Sequence, residues 1–106
     1  MSKIDSAVEL FIAAIMDTDE YKQYDLERNR VKQYPELKAQ IDEYRRRNFM
    51  LQTSEDTAFE KIDQFEREYE GFRENPIVAD FLAAELAFCR MIQNINLRIT
   101  EAVHFE

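Results

Sequence analysis

The chain has almost nothing to turn with. One glycine, Gly71, and two prolines, Pro35 and Pro76, stand in 106 residues. Gly and Pro are the strongest punctuators of local structure, and no stretch alternates apolar and polar residues with the period of a strand, so sheet-rich architectures are excluded and the class is all-α. A single cysteine, Cys89, excludes an intrachain disulfide, and one thiolate cannot hold an iron–sulfur cluster, which normally takes four. With one histidine, His104, no cysteine–histidine pair close in sequence and no glycine-rich phosphate loop, the groups of nucleophilic catalysis are missing and no cofactor is expected. Basic charge is scarce as well: Lys+Arg 14 against Asp+Glu 22 gives a formal charge of −8. Phosphate backbones and anionic membrane surfaces repel such a chain, so neither direct nucleic-acid nor membrane binding is expected. No apolar run is long enough to span a bilayer and no signal peptide opens the chain; a cytoplasmic location follows as an expectation.

What is present is helical periodicity. Asn75-Pro76 is a helix start, because Asn75 can accept from free backbone N–H groups while Pro76 loses nothing at the first helical position. From there Val78, Phe81, Glu85, Phe88, Ile92, Ile95, Ile99 and Ala102 alternate at three and four residues, the spacing of a coiled-coil seam. This helix carries apolar residues on more than one side, which predicts a central element covered by the others. At the other end, Ser2-Lys3-Ile4-Asp5 resembles a helix-opening box, followed by Ile4, Val8, Phe11 and Ile15 at seam spacing. Thr18 before Asp19-Glu20 caps a second helix, whose Tyr21, Tyr24, Arg28 and Val31 share a half-aromatic face.

Pro35 opens a third helix, and Leu37, Ile41, Tyr44, Asn48, Leu51, Glu55, Ala58, Ile62, Phe65, Tyr69 and Phe72 keep one unbroken alternation. The expectation is a single domain over residues 1–106, a helical bundle with helices at about 4–17, 18–33, 35–72 and 76–103. The third and fourth form a long antiparallel hairpin, the third outside, after two shorter N-terminal helices. Thr53-Ser54 could cap a restart and bend the third helix; otherwise it runs roughly 50–55 Å, more than the fourth can cover. Gly71 is expected to end the third helix in left-handed geometry or to admit a close crossing.

Glu85 on the seam of the most apolar helix needs a partner, with Arg28, Lys61 or a tyrosine as candidates, unless it sets register as a polar core residue does in a coiled coil. Asn48 and Glu55 hold equivalent positions, and three polar seam residues point to specified pairing. The expected interface is accordingly Asn48, Leu51, Glu55, Phe59 and Ile62 of the third helix with Phe88, Ile92, Ile95 and Ile99 of the fourth, joining the chain to itself as a homodimer or higher assembly. The alternative is a carboxylate/histidine metal-binding bundle. Glu101-Ala102-Val103-His104 has the Glu-x-x-His spacing of di-iron bundles, and Glu85, Glu101 and His104 are its weak metal candidates, although such a site needs two such motifs and two further glutamates. Arg45-Arg46-Arg47 is the sole basic cluster, with Asp42 and Glu43 four residues before Arg46 and Arg47, so two of its charges are answered locally. Cys89 beside the seam suits a small buried apolar residue.

Three segments in order carry a resemblance: Asp19-Glu20-Tyr21-Lys22-Gln23-Tyr24; Tyr34-Pro35-Glu36-Leu37 with Ile41 and Tyr44; and Asn75-Pro76-Ile77-Val78 through Phe81-Leu82-Ala83-Ala84-Glu85. Together, over about residues 5–103, the chain resembles the YlbF/YmcA family of small bacterial helical proteins. The resemblance implies a cytoplasmic all-helical oligomer that acts as a non-enzymatic regulator. Its best-known relatives influence competence, sporulation and biofilm formation and join a complex that modulates messenger-RNA processing by the endoribonuclease RNase Y. Those relatives also carry C-terminal cysteines tied to iron–sulfur binding, which Cys89 alone does not match. Other regulatory proteins, an RNase Y-associated complex among them, are the partners the resemblance implies.

Overall fold

A computed structural model describes residues 2–53 and 59–104. Among them there are six helices and no strand: α1 (Lys3–Met16), α2 (Asp19–Lys32), α3 (Pro35–Thr53), α4 (Phe59–Glu68), α5 (Glu70–Glu74) and α6 (Pro76–Ala102). The starts follow the caps read from the sequence. Ser2 Oγ accepts from the Asp5 N–H at 3.1 Å, Thr18 Oγ1 from the Tyr21 N–H at 3.1 Å, and Asn75 Oδ1 from the Ile77 N–H at 2.9 Å. Each satisfies one of the donors that a helix N-terminus leaves free.

The third helix is not one rod. α3 ends at Thr53, whose hydroxyl donates back to the Phe49 carbonyl at 2.8 Å, and the chain returns as α4 and α5. Tyr44 stacks on Phe65 with ring centroids 5.4 Å apart and meets Phe72 at 5.6 Å, whereas one continuous helix would hold Tyr44 and Phe65 about 31 Å apart. The alternation persists through 35–72 because both limbs turn the same stripe inward, so the stripe closes largely on itself. Ser54, Glu55 and Ala58 lie outside the described residues.

That doubling back changes what lies beside α6. Its main partner is α2, antiparallel to it, with Tyr24 stacked on Phe88 at 5.2 Å near one end and Arg30 bonded to Asp80 at 3.0 Å near the other. The expected hairpin of the third and fourth helices is therefore replaced by an α2–α6 pair, on which α3 and α5 lean. The core is Val31, Ile41, Val78 and Phe81, surrounded by Tyr24, Leu37, Phe72, Ile77 and Leu82. The Tyr44, Phe65, Tyr69 and Phe72 rings form a second cluster beside it. α6 is central only in its first half, since its buried residues, Val78, Phe81 and Ala84, all precede Glu85.

Gly71 does neither of the things expected of it. It sits inside α5 without a positive φ, and a Cβ built there would meet nothing within 4 Å. The left-handed residue is His104 instead, with φ 54°, which follows the end of α6 as its N–H donates to the Glu101 carbonyl at 3.2 Å.

Candidate interaction surface

The molecule is extended. Its radius of gyration is 17.5 Å, against about 13 Å for a compact chain of this length. It exposes 8364 Å², where a compact monomer of 12.7 kDa exposes about 6,200 Å². α1 and the half of α6 beyond Glu85 form an arm with little cover. α1 buries no residue: Ile4 is 68 % exposed, Phe11 42 % and Ile12 44 %. Ile92 and Ile95 of α6 are half-buried, and Leu97 and Ile99 are exposed. Between the two helices runs a groove of about 400 Å³ lined by Phe11, Ile95, Arg98, Ile99 and Ala102.

The residues expected at the interface divide. Phe88 is engaged within the chain, stacked on Tyr24 and edge-on to Tyr21 at 5.6 Å. Ile92, Ile95 and Ile99 lie along the arm, the last two in the groove. Asn48, Leu51, Phe59 and Ile62 lie at the opposite end of the molecule's helical order, around the end of α3 and the start of α4; Glu55 falls outside the described residues. There Phe59 is 80 % exposed, and Phe49 and Met50 of α3 are exposed as well. Asn48 accepts from its own helix, from Gln52 Nε2 at 3.4 Å. Not anticipated was the exposure of α1: Ile4, Val8, Phe11 and Ile15 were legible as an apolar stripe, and only three charged residues, Lys3, Asp5 and Glu9, occur between Lys3 and Met16.

The charges elsewhere are used inside the chain. Glu85 is partnered by Arg45, which also sits over the Phe81 ring at 5.0 Å, rather than by any of the residues expected. Arg46 donates through Nε to Glu43 at 3.0 Å, three residues away instead of four. Arg47 reaches across the fold-back, both terminal nitrogens on Glu68 at 2.8 Å and one on the Tyr69 hydroxyl at 3.2 Å. Hydrogen bonds from Arg46 and Arg47 hold the carboxyls of Glu43 and Glu68 below the ordinary carboxylate value. Glu27, 5 % exposed and missed by the sequence reading, accepts from Gln23 Nε2 at 3.0 Å and lies 3.4 Å from Arg30. The basic cluster is thus answered by the chain's own carboxylates.

Glu85, Glu101 and His104 are not brought together. Among the described residues no group of three His, Cys, Asp or Glu side chains could hold a metal ion, and His104 serves as the residue that ends α6. Cys89 is exposed, not buried. A concavity of about 580 Å³ between α3 and α5 is lined by Leu37, Gln40, Glu43, Glu68, Tyr69 and Phe72 among others, with no nucleophile–base pair in it. No helix among the described residues is long and apolar enough to cross a membrane.

Comparison with known proteins agrees with the helical reading. A family model described as "Control of competence regulator ComK, YlbF/YmcA" matches residues 4–104. A UPF0342 protein of Caldicellulosiruptor bescii is 22 % identical over 106 residues, covering 96 % of this chain and 88 % of the relative. No solved structure matches the chain.

Proposed function

The chain belongs to the YlbF/YmcA family, and on that premise we propose that it is a cytoplasmic, non-enzymatic regulator that acts by protein–protein contact. It assembles with itself, as a dimer or larger, and as an adaptor acts on competence control and on RNase Y-linked processing of messenger RNA, with sporulation and biofilm formation downstream. The observation that carries the contact reading is the uncovered apolar surface of α1 and the outer half of α6, which a chain working alone would leave in water. The family description supports the regulatory part. Both supports are independent of the basic cluster, whose arginines already have carboxylate partners.

The test is genetic and biochemical together. Deleting the gene from its host should change transformation frequency and the pattern of RNase Y-cleaved 5′ ends, and a plasmid copy should restore both. Unchanged transcript ends and unchanged transformation in the deletion strain would refute the regulatory reading.

A further inference from the structure

Self-association, as proposed above, needs a surface, and we infer that the surface is the arm: a second copy of this chain lays its own arm antiparallel into the groove between α1 and the outer half of α6. Two α1 helices and two α6 ends then close a four-helix layer around a twofold axis. Three observations carry this.

α1 has little support among the described residues. It is 14 residues long with no buried residue, and isolated helices of that length are marginal in water, their stability coming from packing of an apolar face. The face exists, and among the described residues nothing buries it.

The arginines of the arm lack a carboxylate where most of those of the body have one. Arg28, Arg30, Arg45, Arg46, Arg47 and Arg67 each have a carboxylate within the chain. Among the described residues Glu9 on α1 and Arg90, Arg98 and Glu101 on α6 have none. α1 carries Lys3 against Asp5 and Glu9, and the outer half of α6 carries Arg90 and Arg98 against Glu101. One side of the arm is net acidic and the other net basic, so an antiparallel second copy sets each against its opposite. An unrelated apolar partner has no such requirement.

The extent fits. The arm exposes Ile4, Val8, Phe11, Ile12, Leu97 and Ile99 along two helices, a span that a homodimer interface can use, whereas Phe49, Met50 and Phe59 at the other end offer three side chains.

Sedimentation equilibrium on the whole chain tests the assignment. The wild type should sediment at twice the 12.7 kDa chain mass at micromolar concentration. Phe11→Glu and Ile99→Glu should each weaken association at least a hundredfold, while Phe59→Glu should leave it unchanged. Neither arm residue is buried within the chain, so the body of α2, α3 and the first half of α6 should stay folded in both. Hydrogen exchange needs no substitution: the α1 amides should be protected in the assembled wild type and lose protection on dilution, with α2 unaffected. An assembled wild type with unprotected α1, or arm variants that assemble as well as it does, would overturn the surface and leave self-association standing. A wild type that stays monomeric at 100 times those concentrations would overturn both.

Discussion

The fold-back of α3 onto α4 can be measured as an energy between Tyr44 and Phe65. Phe65 is 8 % exposed; its ring lies 5.4 Å from Tyr44 at an interplanar angle of 16° and 5.0 Å from Tyr69. Stacked aromatic pairs contribute about 0.5–1.5 kcal/mol beyond the area they bury. Replacing either ring with leucine should cost roughly 1–2 kcal/mol through lost contacts and imperfect repacking. The double variant Tyr44→Leu/Phe65→Leu should then be less destabilised than the sum of the single variants, by about 1 kcal/mol. Urea unfolding followed by circular dichroism gives the three differences, with protein concentration held constant because assembly contributes to stability. In one unbroken helix the two rings would be about 31 Å apart, too far to interact. Additivity within about 0.3 kcal/mol would therefore refute the doubled-back arrangement.

Three further outcomes are expected. Gly71→Ala should stabilise by about 0.5–1 kcal/mol and raise Tm by roughly 3–6 °C in a thermal melt, since the new Cβ meets nothing and φ is not positive. Asn75→Ala should cost about 1 kcal/mol in urea unfolding, with most of it recovered in Asn75→Asp, because the Asn75 side chain holds the Ile77 N–H at the start of α6. The carboxyls of Glu43 and Glu68 are lowered from 4.5 in the folded chain, so their contribution is fully present above that pH and is lost as pH falls through the lowered folded values. The urea midpoint should fall on acidification below pH 4.5, and less steeply in Arg47→Gln.

The parts of the fold that were legible in sequence are those fixed by local chemistry. Helices expected at about 4–17, 18–33 and 76–103 occur at 3–16, 19–32 and 76–102, because Ser2, Thr18 and Asn75-Pro76 mark their starts. The third helix was legible only through the alternative of a restart at Thr53-Ser54, and α3 does end at Thr53. A seam repeat says which face is apolar and nothing about where the chain reverses, and a reversal that keeps the same face inward leaves the repeat intact. The same gap explains α1 and Cys89. Periodicity located the stripe through Val8 and Phe11, but whether another helix of the same chain covers it depends on tertiary directions. Glu85 shows the limit for polar residues: its place on an apolar seam demanded a cation, and sequence distance gave no reason to choose Arg45 over Arg28.

Between α1 and α2 lie two residues, Asp17 and Thr18. The Thr18 hydroxyl donates to the Ile15 carbonyl at 2.6 Å, the Thr18 N–H reaches the same carbonyl at 3.1 Å, and Thr18 Oγ1 accepts from Tyr21. A connector laced on both sides in this way has no slack, so α1 leaves the rest of the molecule at one inclination. A pairing of two such molecules about a twofold axis is closed whatever that inclination is, so the elbow sets instead how far apart the two bodies are splayed from the shared arms.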